Sequence, residues 1–198
     1  MSGHNKWSQI KLKKGKTDAK RSQVFSRYAK LITSEARAAK GNRDAPALRA
    51  AIERARKENM PNESIDRAIK KATEAGAKQL EPVLYEVYGP GGVALMIEAL
   101  TDNKNKTAAE IKHLLSEKGG RLASPGAASW AFFHYPVPHF SEKVWNTPPQ
   151  AGGEENGMSN WVATTTIPLS DEDIAKLDVL VEALEAHEDV QEVVTNAE

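Results

Sequence analysis

The sequence predicts an α+β protein: a basic N-terminal three-helix bundle with an extended arm, followed by a ferredoxin-like two-layer α/β domain. Three observations carry that prediction. Residues 1–78 hold 20 Lys and Arg against 8 Asp and Glu, whereas residues 79–198 hold 7 against 19, so a net charge of zero conceals two modules of opposite sign. The apolar residues recur at helical spacing up to Gly76 and then alternate from Val83 onward. Finally, 198 residues suffice for one large domain or two small ones with real cores.

The arm, residues 1–16, belongs to a stretch of thirty residues with nine Lys or Arg against one acid, Asp18. Trp7 sits among Lys6, Lys11, Lys13, Lys14 and Lys16. A planar ring beside a row of cations, with little apolar content to fold on, suits phosphate neutralisation combined with base stacking. The alternative is a solubilising tail with a loosely docked Trp.

The bundle completes a domain over residues 1–78. A first helix spans Asp18 to Lys40, with Thr17 as N-cap, Val24, Tyr28, Leu31, Ile32 and Ala36 inside and Gly41 as its stop. Lys20, Arg27 and Arg37 read as a solvated face opposite. A second helix follows Asp44, with Pro46 in its first turn and Leu48, Ala51, Ile52 and Ala55 on one side. Asn59-Met60-Pro61-Asn62 breaks the pattern, and Met60 is expected to fold back onto the core. A third helix carries Ile65, Ala68, Ile69 and Ala72. A helix-turn-helix is conceivable, yet Asp66, Arg67, Lys70 and Lys71 lack the array that reads base edges in a major groove.

The second domain is discontinuous, residues 79–133 plus 161–198. Val83 to Tyr88 and Val93 to Leu100 read as strands joined by Gly89-Pro90-Gly91-Gly92, a turn without phosphate-loop spacing. Thr107 and Glu110 have capping-box spacing for a helix with Ile111, Leu114 and Leu115 inside. Lys104 and Lys106 beside that helix start offer a second phosphate contact, or an ordinary polar cap. Ala127 to Phe133 and Trp161 to Ile167 read as strands, Ser170 caps a last helix, and Val190 to Thr195 closes the chain as a strand. This β-β-α-β, β-α-β order puts both helices on one face of a mixed sheet. Asp178, Glu182, Glu185 and Glu188 on the last helix read as a solvated face, with docking of a basic partner as the alternative.

Residues 134–160 hold Pro136, Pro138, Pro148, Pro149 and a Gly152–Gly157 run without a sustained period, and read as a linker. His134 and His139 without Cys or a nearby acid cluster make a weak metal site, so no metal and no cofactor is expected. No nucleophile–base pair or oxyanion donor accompanies the carboxylates, which points away from an enzyme. The chain has no cysteine, no signal-peptide core after Met1 and no apolar run approaching a membrane span, so a cytoplasmic protein with no membrane partner is expected.

Several of these stretches, Gly3-His4-Asn5-Lys6-Trp7, Asp18-Ala19-Lys20-Arg21, Asn59-Met60-Pro61, Tyr88 to Val93, Leu100 to Asn103 with Asn105-Lys106-Thr107, and Asp189-Val190-Gln191 with Thr195-Asn196, resemble the YebC/PmpR family. The resemblance runs in order along nearly the whole chain except residues 134–160. It implies a non-enzymatic, DNA-binding transcriptional regulator with a helical N-terminal domain and a central α/β domain. The family's mitochondrial branch, a translational activator of cytochrome c oxidase subunit one, and bacterial members linked to ribosomes translating proline-rich sequences imply the alternative. That alternative is a ribosome-associated translation factor bound to ribosomal RNA. Family members carry a third domain inserted in the central one, and 27 residues between Phe133 and Trp161 leave it largely absent here. With the resemblance, the expected nucleic-acid-binding set is His4, Lys6, Trp7, Lys11, Lys13, Lys14, Lys16, Lys20, Arg21, Lys104 and Lys106. The sequence leaves the oligomeric state open.

Overall fold

The computed structural model describes residues 18–74, 79–134 and 161–198. Three helices, α1 (Asp18–Ala38), α2 (Pro46–Lys57) and α3 (Asn62–Thr73), form the bundle. Tyr28, Ile32, Ala36, Leu48, Ala51, Ala55, Met60, Ile65, Ala68 and Ala72 pack in one buried cluster. Alanines at half of these positions let the helix axes approach closely.

Two of the helix ends share one local device. At the end of α1, Gly41 N donates to Ala36 O at 2.7 Å and Lys40 N to Arg37 O at 3.0 Å, with Lys40 itself left-handed at φ 51°. At the end of α2, Met60 N donates to Ala55 O and Asn59 N to Arg56 O, with Asn59 at φ 62°. Both are Schellman motifs, which absorb the last helical carbonyls. The second explains the Asn59-Met60-Pro61 stretch. Asn tolerates the left-handed turn, Met60 folds back to 5% exposure, and Pro61 prevents continuation.

The α/β part has four strands in the order β3-β1-β2-β6: β1 (Glu81–Tyr88), β2 (Ala94–Thr101), β3 (Arg121–Leu122) and β6 (Val190–Thr195). Every ladder in this sheet is antiparallel, and the parallel pairing described is a single bridge, Ile167 to Ala197. The sheet is therefore not mixed in the sense expected. Both helices, α4 (Lys104–Glu117) and α5 (Asp171–Ala186), do lie on one face. Ile111 and Leu115 of α4 and Leu177, Leu180, Val181 and Leu184 of α5 cluster with Val87, Leu95, Ile97 and Val193.

The alternate residues of the sheet face the other way. Ala94, Met96 and Val194 pack against Ala128, Ala131, Phe132, Trp161 and Ala163. Burial on both faces explains why β2 reads as a near-continuous apolar run.

Ala127 to Phe133, expected as one strand, is instead a short 3-10 turn (Ser129–Ala131) followed by β4 (Phe132–His134). β4 pairs with β5 (Trp161–Ala163) as a separate two-stranded sheet, and β5 stops well short of Ile167. The cause is Glu86 of β1. Its carboxylate accepts the N–H groups of Gly126, Ala128 and Ser129 at 2.6, 2.7 and 3.0 Å, committing those donors to a turn. Burial pushes the Glu86 carboxyl up, and the three N–H donors more than reverse that, holding it below its ordinary range.

The start of α4 also differs from expectation. Asn103 is its N-cap, accepting Lys106 N at 3.1 Å, and Thr107 lies buried one turn inside. Ser170 caps α5 as expected, accepting Asp173 N at 3.1 Å. Opposite β2, β6 carries one extra residue: Glu98 faces Glu192 while Ala99 faces Val190. Gln191 is thus the bulged residue, and the bulge turns its carbonyl away from the ladder.

Candidate nucleic-acid interface

Seven of the expected contact residues, His4, Lys6, Trp7, Lys11, Lys13, Lys14 and Lys16, lie outside the described residues. Lys20 and Arg21 open α1. Arg21 is exposed, and Lys20 Nζ meets Glu182 Oε1 of α5 at 2.7 Å. The structure holds Lys104 and Lys106, in the first turn of α4, in ion pairs. Lys104 lies 2.5 Å from Glu81, and Lys106 lies 3.7 Å from Glu110 and 3.5 Å from Glu188. Glu110 first, then Glu188, raises the Lys106 pKa above its ordinary value. All three pairs are solvent-exposed, so each is weak and gives way to a better anion.

The bundle also displays cations that the motif reading did not select. Lys40, Arg49, Lys57, Arg67, Lys70 and Lys71 are exposed and make no ion pair with a described residue. Arg43 is held by Asp66 at 2.6 Å. Their signal in the sequence was the module charge rather than any motif.

The joint between bundle and α/β part was also missed. Arg27, read as part of a solvated face, is half-buried there. Its Nη1 and Nη2 donate to the carbonyls of Gln191 and Glu185, each at 3.2 Å. Lys30 Nζ lies 2.5 Å from Asp189 Oδ1. Thr107 donates to Asp189 Oδ2 at 2.7 Å and lies 2.8 Å from Thr101 Oγ1, so this carboxylate ties α1, α4, β2 and the start of β6 together. Burial pushes the Asp189 carboxyl up, and its bonds to Lys30 and Thr107 bring it below its ordinary value. Beside it, His187 Nδ1 accepts Asp189 N at 3.1 Å, which leaves Nε2 to donate to Glu110 Oε2 at 3.0 Å. Of the acids read as a solvated face of the last helix, Glu182 of α5 is engaged by Lys20, and Glu188, which lies past the end of α5, by Lys106.

Glu98 sits between these layers. Burial raises its pKa above the ordinary 4.5, and the opposing influences are His134, the Trp161 indole and Arg54 of α2. His134 meets Trp161 in a tilted ring contact, with centroids 4.5 Å apart and planes at 49°, and His139 lies outside the described residues. Among the described residues no three His, Cys, Asp or Glu side chains converge as a metal site would require. A cleft of about 300 Å³ is lined by Tyr88, Gly89, Gly92, Gly119, Gly120 and Arg121, the last lying over the Tyr88 ring at 5.0 Å. The Gly89–Gly92 turn joins strands, as its spacing requires. Gly91, at φ 69°, has no room for a side chain, since a Cβ there would lie 2.3 Å from Leu169.

No helix among the described residues is long and apolar enough to cross a membrane. Residues 5–75 match the TACO1/YebC protein N-terminal domain. Residues 80–154 and 150–197 match the TACO1/YebC second and third domain, and these matches reach into residues 134–160, read from the sequence as a linker. A "probable transcriptional regulatory protein" of Fervidobacterium nodosum is 37% identical over 235 residues, covering 99% of this chain and 93% of that one. One of the same description from Thermotoga maritima is 38% identical over 238 residues, covering 100% and 94%. The crystal structure of a conserved hypothetical protein from Aquifex aeolicus superposes with a TM-score of 0.78 at 34% identity, covering 97% of this chain and 96% of that chain. With its bundle and its α/β part both matched in order, the chain belongs to the TACO1/YebC family.

Proposed function

We propose that this protein is a nucleic-acid-binding regulator that performs no catalysis. The observation that carries the reading is the display of Lys40, Arg49, Lys57, Arg67, Lys70 and Lys71 on the bundle, exposed and outside ion pairs with described residues. They continue in sequence from an arm rich in Lys and carrying Trp7. Phosphates neutralised by the arm and bundle would position the nucleic acid, and Trp7 with His4 would stack on bases. The description of the relatives as transcriptional regulators supports duplex DNA as the target.

A second reading, a translation factor bound to ribosomal RNA, is favoured by two features. Arg67, Lys70 and Lys71, exposed on α3, suit phosphate contact better than base-edge readout. The acidic first turn of α5, Asp171, Glu172 and Asp173, suits a basic ribosomal protein.

Co-sedimentation with ribosomes, compared at matched salt with binding to promoter-length duplex DNA, separates the two. Sequence-dependent duplex binding supports the transcriptional reading. Retention on ribosomes with only nonspecific duplex binding replaces it with the translational one. Affinity that does not fall with salt, or that survives removal of residues 1–16, refutes the arm.

A further inference from the structure

The joint between bundle and α/β part is built from charge rather than apolar burial. The buried apolar cluster of the bundle shares no residue with the two clusters of the α/β part. Instead, three cations on α1, Lys20, Arg27 and Lys30, meet a row of oxygen acceptors: the Glu182 carboxylate, the carbonyls of Glu185 and Gln191, and the Asp189 carboxylate. Glu185 lies in the last turn of α5, where helical carbonyls collect partial negative charge. Gln191 offers its carbonyl because the β6 bulge turns it outward. Such a row, acceptors only and facing cations spaced along α1, offers them the chemistry of a phosphate backbone.

The same joint leaves polar groups unmatched. Arg27 Nε and both polar atoms of the Gln191 side chain are buried without a hydrogen-bond partner among the described residues, although Gln191 is only 7% exposed. A permanent contact would pair such groups, because each costs free energy while the contact is closed. Asp189, by contrast, is also held by Thr107 of α4, a bond that does not involve α1.

We infer that this joint is an intramolecular latch in which Glu182, Asp189 and the carbonyls of Glu185 and Gln191 occupy α1 cations that a polyanion would otherwise take. The inference rests on the nucleic-acid reading above. Nucleic acid held by the arm reaches Lys20, Arg27 and Lys30 only as the α/β part releases them. By linkage, anything that opens the latch tightens polyanion binding to the same degree that the polyanion opens it.

The chain has no cysteine, so a dye pair is placed cleanly at Glu63→Cys on α3 and Ala175→Cys on α5, both exposed. Titration with oligouridylate is expected to lower energy transfer between the dyes with the same midpoint as binding. The variant Glu182→Gln with Asp189→Asn is expected to start at low transfer and to bind oligouridylate about fivefold tighter or more, within the usual range of coupling between sites. Should that variant lose its helical circular dichroism, the dye-labelled chain with its joint unaltered still decides the matter. Binding at unchanged transfer overturns the latch and leaves the nucleic-acid reading standing. No binding of oligouridylate, duplex DNA or ribosomes at low salt overturns both.

Discussion

Lys30 and Asp189, 159 residues apart in the chain, meet at 2.5 Å and fix how α1 lies against the α/β part. Asp189 is 5% exposed, and its other carboxylate oxygen is held by the buried Thr107. The pair is a partly buried, hydrogen-bonded one, in which loss of a partner costs far more than at a surface pair.

Asp189→Asn is expected to lower stability at neutral pH by about 1–3 kcal/mol, the usual cost of an impaired buried charged hydrogen bond. The folded-state pKa of Asp189 lies below its ordinary 3.8. Its stabilisation is therefore full above that value and is lost as pH falls through the lowered one. Urea unfolding of both proteins across this range should show the difference narrowing only at strongly acid pH.

Glu86→Ala removes the acceptor for three N–H groups at once. The expected loss is about 2–3 kcal/mol, with amide exchange accelerated at Gly126, Ala128 and Ser129 ahead of global unfolding. An unchanged exchange pattern would mean that the turn holds without the carboxylate.

Glu98→Gln should act in the opposite direction. Glu98 stands directly opposite Glu192 in the β2–β6 register, and burial raises its pKa above 4.5. An acid with a raised folded-state pKa destabilises once pH rises past its unfolded value, so the neutral variant gains stability at pH 7. The expected gain is about 0.2–1 kcal/mol, vanishing as pH falls below 4.5. Thermal unfolding at two pH values checks both sign and disappearance.

Asn59 tests the local code of the bundle. At φ 62° an alanine is strained and a glycine is not. Asn59→Ala should cost about 1 kcal/mol, whereas Asn59→Gly should be close to neutral. Equal melting temperatures for the two variants would contradict the left-handed turn.

Trp7→Ala should weaken binding to single-stranded RNA by about 1–3 kcal/mol if one base stacks on the ring, and duplex DNA by less. Filter binding at matched salt reads the difference directly. Equal losses on both would make Trp7 a structural residue of the arm.

The sequence by itself determined the features whose causes lie within a few residues of one another. The three helices of the bundle, the Asn59-Met60-Pro61 exit, the Ser170 cap and the Gly89–Gly92 turn follow from local spacing, capping and backbone freedom, and the structure reproduces them. The charge division also marked the chain as two modules of opposite sign.

Only the tertiary structure decided how the two modules meet. Glu86 turns residues 126–129 out of a strand from forty residues away. Thr107 leaves a capping role for Asp189, eighty-two residues away. The bulge at Gln191 aims a carbonyl at Arg27 and makes a solvated-looking face into a joint. In each case one side chain satisfies a distant backbone or charged group, and no window of sequence contains both partners.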